Sequence, residues 1–233
     1  MTLSIIIPTF QEAGSVGATV DAARGLGPGV EIIVVDGGSS DGTAETARGH
    51  GARVLRADER GRAPQMNLGA AAARGDVLLF LHADTLLPPD AADSIAAILS
   101  EPAVAGGCFR LRFDDDHPVL RMSSALNRFS FRLFHYGDCA YFVRNSTFRE
   151  MGGFHAMPLL EDLDFWLRLN RTHRVVVSRS SVLTSARRFR DVGVVRQQAL
   201  ATLIVLLYVF GVGAPRLARL YHRFTRFRTR EVA

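Results

Sequence analysis

The sequence predicts an α/β domain built on a mostly parallel sheet covered by helices, with a helical appendage at its C-terminus. Strand-like runs and helix-like stretches alternate four times in the first half, with short connections, which is the pattern of strands joined by crossover helices. The loops that carry acids follow strands, so they collect at one sheet edge, where open α/β sheets bind ligands. The run Val77 to Leu81 is apolar without a break, as expected of a strand covered on both faces. It stops at His82-Ala83-Asp84.

Leu3 to Ile7 is the first strand. Pro8-Thr9-Phe10-Gln11-Glu12 breaks it, and Ser15 is placed to cap a helix to about Arg24. Glu31 to Val35 is the second strand, closed by the turn-rich run Asp36 to Thr43, with Asp41 as N-cap of a helix to Arg48. Arg53 to Leu55 is a short third strand; Arg60-Gly61-Arg62 opens a loop, and Pro64 to Arg74 reads as an Ala-rich helix. After the fourth strand, Pro89 to Ser100 is helical and Val104 to Phe113 is a strand in which Gly106-Gly107 allows a bulge or close backbone approach. Asp114-Asp115-Asp116, just before Pro118, reads as a solvated turn. Val119 to Phe134 is amphipathic, with Leu120, Leu126, Phe129 and Leu133 near one face. Tyr141 to Val143 is a short strand and Met151 to Phe154 a turn. Leu160 to Asn170 is a helix whose start carries Glu161, Asp162 and Asp164. Val175 to Val177 and Val182-Leu183 are late strands, followed by Arg187-Arg188-Phe189-Arg190.

The 48% apolar content of the 233 residues supports a core and excludes a disordered chain. Net charge is +5, and every basic side chain other than His is Arg. Much of the excess lies in Arg216, Arg219, Arg223, Arg226, Arg228 and Arg230, so it describes the tail and gives no reason to expect a nucleic-acid partner. Cys108 and Cys139 have neither metal-ligand spacing nor the numbers for a disulfide framework, and read as reduced thiols. The chain enters a strand by Leu3, so no secretory signal is expected and the setting reads as cytoplasmic.

In an extended chain His82 and Asp84 point the same way, so an imidazole and a carboxylate could share a divalent cation. The alternative is that Asp84 caps the helix after Pro88-Pro89. Asp36 ends the second strand, and Glu161, Asp162 and Asp164 open a late helix. A nucleoside diphosphate needs such a set: a cation held by oxygens and phosphates, a polar contact for base or ribose, and a separate carboxylate to take a proton from an attacking hydroxyl. The alternative is that these acids cap helices.

Several pieces taken together resemble the family 2 glycosyltransferases of the GT-A fold: Ser4 to Glu12, Val34 to Thr43, Gly75 to Asp84, Gly152-Gly153-Phe154 and Glu161-Asp162. A narrower likeness runs through Arg60 to Asn67, Leu79 to Asp84, Tyr136-Gly137-Asp138, Met157 to Asp162 and Thr184 to Arg188. These look like a bacterial subgroup often associated with arsenosugar biosynthesis. The resemblance implies a Rossmann-like sheet and inverting transfer of a sugar from a nucleoside diphosphate sugar to a hydroxyl acceptor. It places Pro8, Thr9, Glu12 and Asp36 on the nucleotide, Arg62 near the diphosphate, and Asp84 on Mg²⁺ or Mn²⁺. Asp162 matches the catalytic base, with Glu161 beside it. Tyr136 and Asp138 would border the acceptor, and Arg187 and Arg188 would meet phosphate. His82 stands where an Asp is usual, and imidazole suits Mn²⁺ better than Mg²⁺; it could instead bond a phosphate and leave Asp84 as sole ligand. Gly37 replaces a second acid, and Cys139 stands where the subgroup has Gln.

Two other readings compete. A nucleotidyltransferase would carry a Gly-rich basic phosphate loop after the first strand, and Pro8 to Glu12 lacks one. A non-catalytic sugar-nucleotide-binding or membrane-scaffold protein would not need Asp162. Residues 1–190 read as the transferase domain and 191–233 as an apolar and basic appendage. Within the appendage, Ala199 to Ala214 is about 16 residues long, short of the ~20 that span a bilayer. It could pack on the sheet, join a second subunit in a homodimer, or lie at a membrane surface, where the arginines beyond it would meet anionic lipid. A lipid-linked acceptor would suit such a tail, and a small soluble one the short chain.

Overall fold

The structure is a computed structural model that describes residues 1–127 and 138–225. Among these residues eight strands form one mixed sheet in the order β3-β2-β1-β4-β7-β6-β8-β5. Its first half follows the alternating pattern of the sequence. β1 (Leu3–Thr9), β2 (Val30–Asp36), β3 (Arg53–Arg56) and β4 (Val77–Phe80) are parallel, joined by α1 (Val16–Arg24), α2 (Thr43–Gly49) and α3 (Arg62–Ala72). β1 runs two residues past its expected end, through Pro8 to Thr9. Beyond the Ile6–Phe80 pairing only β2 remains beside it, so proline disturbs only a strand end.

The second half departs from a parallel sheet. The strand β5 (Thr85–Leu86) and the helix α4 (Ala91–Leu99) lead into β6 (Val104–Phe113). The helix α5 (Pro118–Leu126) follows, and the expected amphipathic helix reaching Phe134 falls partly outside the described residues, as does Tyr136. β7 (Tyr141–Arg144) is antiparallel to both β4 and β6. After the short helix α6 (Asn145–Glu150), α7 (Glu161–Thr172) leads into β8 (Arg174–Thr184), which runs parallel to β6. The two late strands expected separately are one, interrupted by a bulge opposite Cys108–Arg110.

Apolar side chains alternate across the strands into two cores. Ile5, Ile7, Val34 and Leu79 meet α1, α2 and α4 on one face. Ile6, Ile33, Val35 and Phe80 meet α3, α6 and α7 on the other. Gly107 lies where β6 is squeezed between its neighbours: a Cβ there would sit 2.1 Å from the Val176 carbonyl oxygen and 2.6 Å from the Phe142 ring.

The C-terminal segment is α8 (Arg187–Val192), α9 (Val194–Val209) and α10 (Ala214–Thr225). Apolar residues of α9 and α10 pack on the start of α7, where Leu200, Ile204, Val205 and Leu217 cluster with Leu160 and Leu163, while Phe189 of α8 meets Phe113 at the end of β6. Among the described residues no helix is long and apolar enough to cross a membrane.

Gly107→Ala is expected to destabilise the protein by about 3 kcal/mol, because the Val176 carbonyl is backbone and cannot move aside as a side chain can. Urea unfolding measures it. A loss below about 0.5 kcal/mol, the range of ordinary surface changes, would mean that β6 and β8 yield to the methyl group.

Candidate active site at the sheet edge

The C-terminal ends of β1, β2 and β4, the approach to β7 and the ends of β6 and β8 all lie at one edge of the sheet, as their pairings require. Side-chain bonds stitch the loops after β1 and β2 together. Backbone N–H groups of Gln11, Glu12 and Ala13 donate to Ser39 Oγ (2.9 Å), Thr43 Oγ1 (2.8 Å) and Asp41 Oδ2 (3.1 Å). Gln11 adopts φ 57° to make this crossing. Asp41 also accepts from the Thr43 N–H at 3.1 Å, so it supports the start of α2 although Gly42 holds the N-cap position. Ser15 holds the N-cap position of α1 as expected, but its hydroxyl bonds Glu12 instead of the helix.

Asp36 is buried and engaged by its own loop: it accepts from the N–H groups of Gly38 (3.0 Å) and Ser39 (2.9 Å) and from Ser39 Oγ (2.5 Å). Gln65 is a site residue whose role the sequence reading did not single out. From the buried face of α3 its Nε2 donates to the carbonyls of Thr9 (2.8 Å) and Val35 (2.7 Å), and its Oε1 accepts from the Gly61 N–H. The available signal was a carboxamide on the otherwise apolar inner face of an Ala-rich helix.

Arg62 is the first residue of α3, not part of the preceding loop. Its Nε lies 2.8 Å from the buried Glu161 Oε1, and its Nη1 lies 3.2 Å from His82 Nε2. The other imidazole nitrogen, Nδ1, lies 2.5 Å from Asp138 Oδ1. His82 is therefore engaged on both sides. Burial disfavours the Arg62 charge, but Glu161, Asp162 and Asp138 outweigh it and hold the guanidinium firmly protonated. Burial likewise opposes ionisation of Asp138, yet His82, Arg188 and Arg62 together hold its carboxyl well below the usual range. For His82, burial acts against the charged ring and Asp138 prevails, so its pKa is raised.

Asp84 is pinned through its backbone, whose carbonyl accepts from the Ser185 N–H at 3.1 Å. Its side chain does not cap α4, whose N-cap position is Asp90. It faces Arg187, whose Nη2 lies 3.2 Å from Oδ2 and also pairs with Glu12. Burial pushes the Asp84 carboxyl up, and the negative charges of Asp138 and Glu12 add to the rise against His82 and Arg187. Arg187 is held by the anchoring of α8. The Ala186 N–H donates to Asp114 Oδ1 at 2.6 Å, and Arg190 reaches both Asp114 and Asp115 at 3.3 Å. The aspartate run is a largely exposed turn, as expected, and in it Asp114 and Asp115 also clamp the start of α8.

The acids that open α7 have three different fates, each favoured by the positive end of that helix. Glu161 pairs with Arg62; burial pushes its carboxyl up, with Arg62 pulling against it. Asp164 is held by Arg168 (2.9 Å), His155 (3.0 Å) and the Tyr208 hydroxyl (3.1 Å). Asp162 bonds only the N–H of Leu163 (2.7 Å) among the described residues. It lines a cavity of about 640 Å³ together with Arg62, Asp84, Asp138 and Arg188. The site residues expected from sequence and described here therefore meet at one edge, with Thr9 and Asp36 held behind the loop they brace.

The sequence profile described as Glycosyl transferase family 2 matches residues 4–155, and the chain belongs to that family. It is 31% identical over 97 residues to a glucosyl-3-phosphoglycerate synthase of Mycolicibacterium paratuberculosis, covering 37% of this chain and 30% of that protein. A PGL/p-HBAD biosynthesis glycosyltransferase of Mycobacterium bovis is 37% identical over 106 residues, covering 42% of this chain and 41% of the relative. The chain thus spans less than half the length of these relatives. Among solved structures, a mannosyltransferase from Pyrobaculum calidifontis in complex with GDP-Man and Mn²⁺ superposes with TM-score 0.68 at 20% identity, covering 94% of this chain and 68% of that one. Glucosyl-3-phosphoglycerate synthase from Mycobacterium tuberculosis, in complex with Mn²⁺, UDP-Glc and phosphoglyceric acid, gives 0.64 at 20% identity over 87% and 78%. The GT-A fold is common to them. None of these relatives carries an arsenosugar in its name.

Gln65→Leu keeps the volume but removes one hydrogen bond each from the Thr9 and Val35 carbonyls and the Gly61 N–H, while the Thr9 carbonyl keeps the Gly37 N–H. It is expected to cost about 1–3 kcal/mol in denaturant unfolding, the range for losing buried hydrogen bonds. An unchanged unfolding midpoint would show that water replaces the carboxamide without loss.

Proposed function

We propose that this chain is an inverting glycosyltransferase that moves a sugar from a nucleoside diphosphate sugar to a hydroxyl acceptor. The observation that carries the reading is the division of labour at the start of α7, where only Asp162 faces the cavity that Asp84, Asp138 and Arg188 also line. In this reading the loops after β1 and β2, with Pro8, Thr9 and Glu12, receive the nucleotide. Asp36 acts by holding Gly38 and Ser39 in place.

A divalent cation, Mn²⁺ or Mg²⁺, fits at Asp84. This carboxylate is largely buried and faces Asp138 and Glu12, and its charge is met by His82, which also serves Asp138, and by Arg187, which also serves Glu12. Hard cations favour such oxygen ligands. Among the described residues no three His, Cys, Asp or Glu side chains form a ready-made metal cage, so phosphate oxygens of the donor would complete the coordination. His82 serves as a positioning group between Asp138 and Arg62 instead of as a ligand. The cation, when bound, supplies neutralisation of the diphosphate charge.

Asp162 takes the proton of the acceptor hydroxyl as its oxygen bonds the anomeric carbon. The bond from that carbon to the diphosphate breaks on the opposite face, which inverts the configuration. Arg187 and Arg188 hold the departing negative charge; Arg187 is already ion-paired near the site, with Glu12 and Asp84. A membrane surface or second subunit, if one meets this chain, would do so through the exposed Leu203, Val209 and Phe210.

With Mn²⁺ present, the protein is expected to release nucleoside diphosphate from at least one member of a panel of nucleoside diphosphate sugars when acceptor is supplied. Asp162→Asn should lower turnover by roughly 10²–10⁴-fold, the usual contribution of a general base, while donor affinity is retained. Normal turnover in Asp162→Asn together with loss in Glu161→Gln would move the base to the neighbouring carboxylate.

A further inference from the structure

We infer that the acceptor is an alcohol with an apolar body, its hydroxyl held at Asp162 and its body in the cavity between α5, α8 and α9. The inference rests on the sugar-transfer reading and names the acceptor class. The cavity, about 640 Å³, has the size of sites that bury small organic ligands. Its lining is mixed. Asp84, Asp138, Asp162 and Arg188 form one charged cluster around Arg62, while Phe113, Met122, Leu126, Phe189, Ile204 and Leu206 furnish apolar walls, with Ser123 and Thr202 among the polar residues between them.

Met122, Leu126 and Leu206 are 59%, 38% and 45% exposed among the described residues. These large apolar side chains line a cavity without being packed into a core. A sugar phosphate or other fully polar acceptor gains nothing from such walls, whereas an apolar body is driven onto them by release from water. Gln197 adds a polar contact on the cavity lining. Its Nε2 donates to Tyr221 Oη at 2.9 Å, and its buried Oε1 has no hydrogen-bond partner among the described residues, so it can accept from a ligand O–H. The head group follows from the base. A phosphate is already ionised at neutral pH and has no need of Asp162, whereas an alcohol must lose a proton as it attacks.

The test is calorimetric binding of alkyl β-glucosides, from methyl to octyl and below micelle-forming concentrations, to the full chain with Mn²⁺ and a nucleoside diphosphate present. Affinity should rise about fourfold per added methylene until the cavity is filled. Ala201→Trp and, independently, Val119→Trp place an indole on the cavity wall and should remove the chain-length dependence while leaving nucleoside diphosphate binding unchanged. The same head on a dialkyl lipid in phosphatidylcholine vesicles tells an acceptor drawn from a bilayer from one free in solution. Affinity independent of chain length in the wild type would overturn the inference, as would a chain-length dependence that survives both tryptophan variants. Absence of nucleoside diphosphate binding would count instead against the donor-site reading; the glucoside measurement does not depend on turnover, so the two failures are separable.

Discussion

The structure depends on one electrostatic constraint: ionisable groups crowded at a sheet edge must neutralise one another or bind something that does. Glu161, buried at the head of α7, is met by Arg62 at the head of α3. His82 lies between Arg62 and Asp138, and Arg187 is shared by Glu12 and Asp84. Each pairing joins elements far apart in sequence, so the positions of α3, α7 and α8 are fixed by charge as well as by packing. Removing one member of a buried pair leaves the other uncompensated, which is far costlier than the pair itself is stabilising. Asp84 is incompletely compensated: burial and the nearness of Asp138 and Glu12 raise its pKa against the pull of His82 and Arg187. That imbalance is what a bound cation would relieve.

The first half of the fold was legible because β1, β2 and β4 are short apolar runs ended by turn residues, and the edge strand β3 is a short Val-Leu pair between arginines, signals contained within a few neighbours. The second half was less so. β7 enters antiparallel between β4 and β6, and nothing within Tyr141 to Val143 specifies its direction. β8 reads as two strands because Arg179 and the serines around it interrupt its apolar pattern at the bulge. Arg62 opens a helix despite Gly61 and Pro64; proline is well tolerated in the first turn, where its missing N–H has no partner to lose. In the site, the residue types were legible but their pairings were not. That Asp114 clamps Ala186 and Arg190, or that Asp164 is taken up by Arg168, His155 and Tyr208, depends on contacts across tens of residues.

The C-terminal helices are more than an appendage in their contacts. α9 and α10 pack around Leu160 and Leu163, which flank Glu161 and Asp162. Leu160 holds a left-handed conformation, φ 65°, directly before them, a geometry that costs a non-glycine residue of order 1–3 kcal/mol and persists only when the surroundings enforce it. The same helices provide one wall of the cavity. Packing in the C-terminal segment is thereby coupled to the direction in which Asp162 points, although that segment lies beyond residues 4–155, the part matched by the family profile.

The central claim is that the charge imbalance at Asp84 is a cation site completed by a diphosphate. Anomalous diffraction from crystals of the protein grown with Mn²⁺ and a nucleoside diphosphate tests it most directly. The account predicts a manganese peak within about 2.5 Å of an Asp84 carboxylate oxygen, the range for oxygen ligands of hard divalent cations, with Arg187 turned from Asp84 toward the phosphates. A nucleotide bound at the β1–β2 loops with no manganese at Asp84, and the Arg187–Asp84 pair still in place, would contradict it.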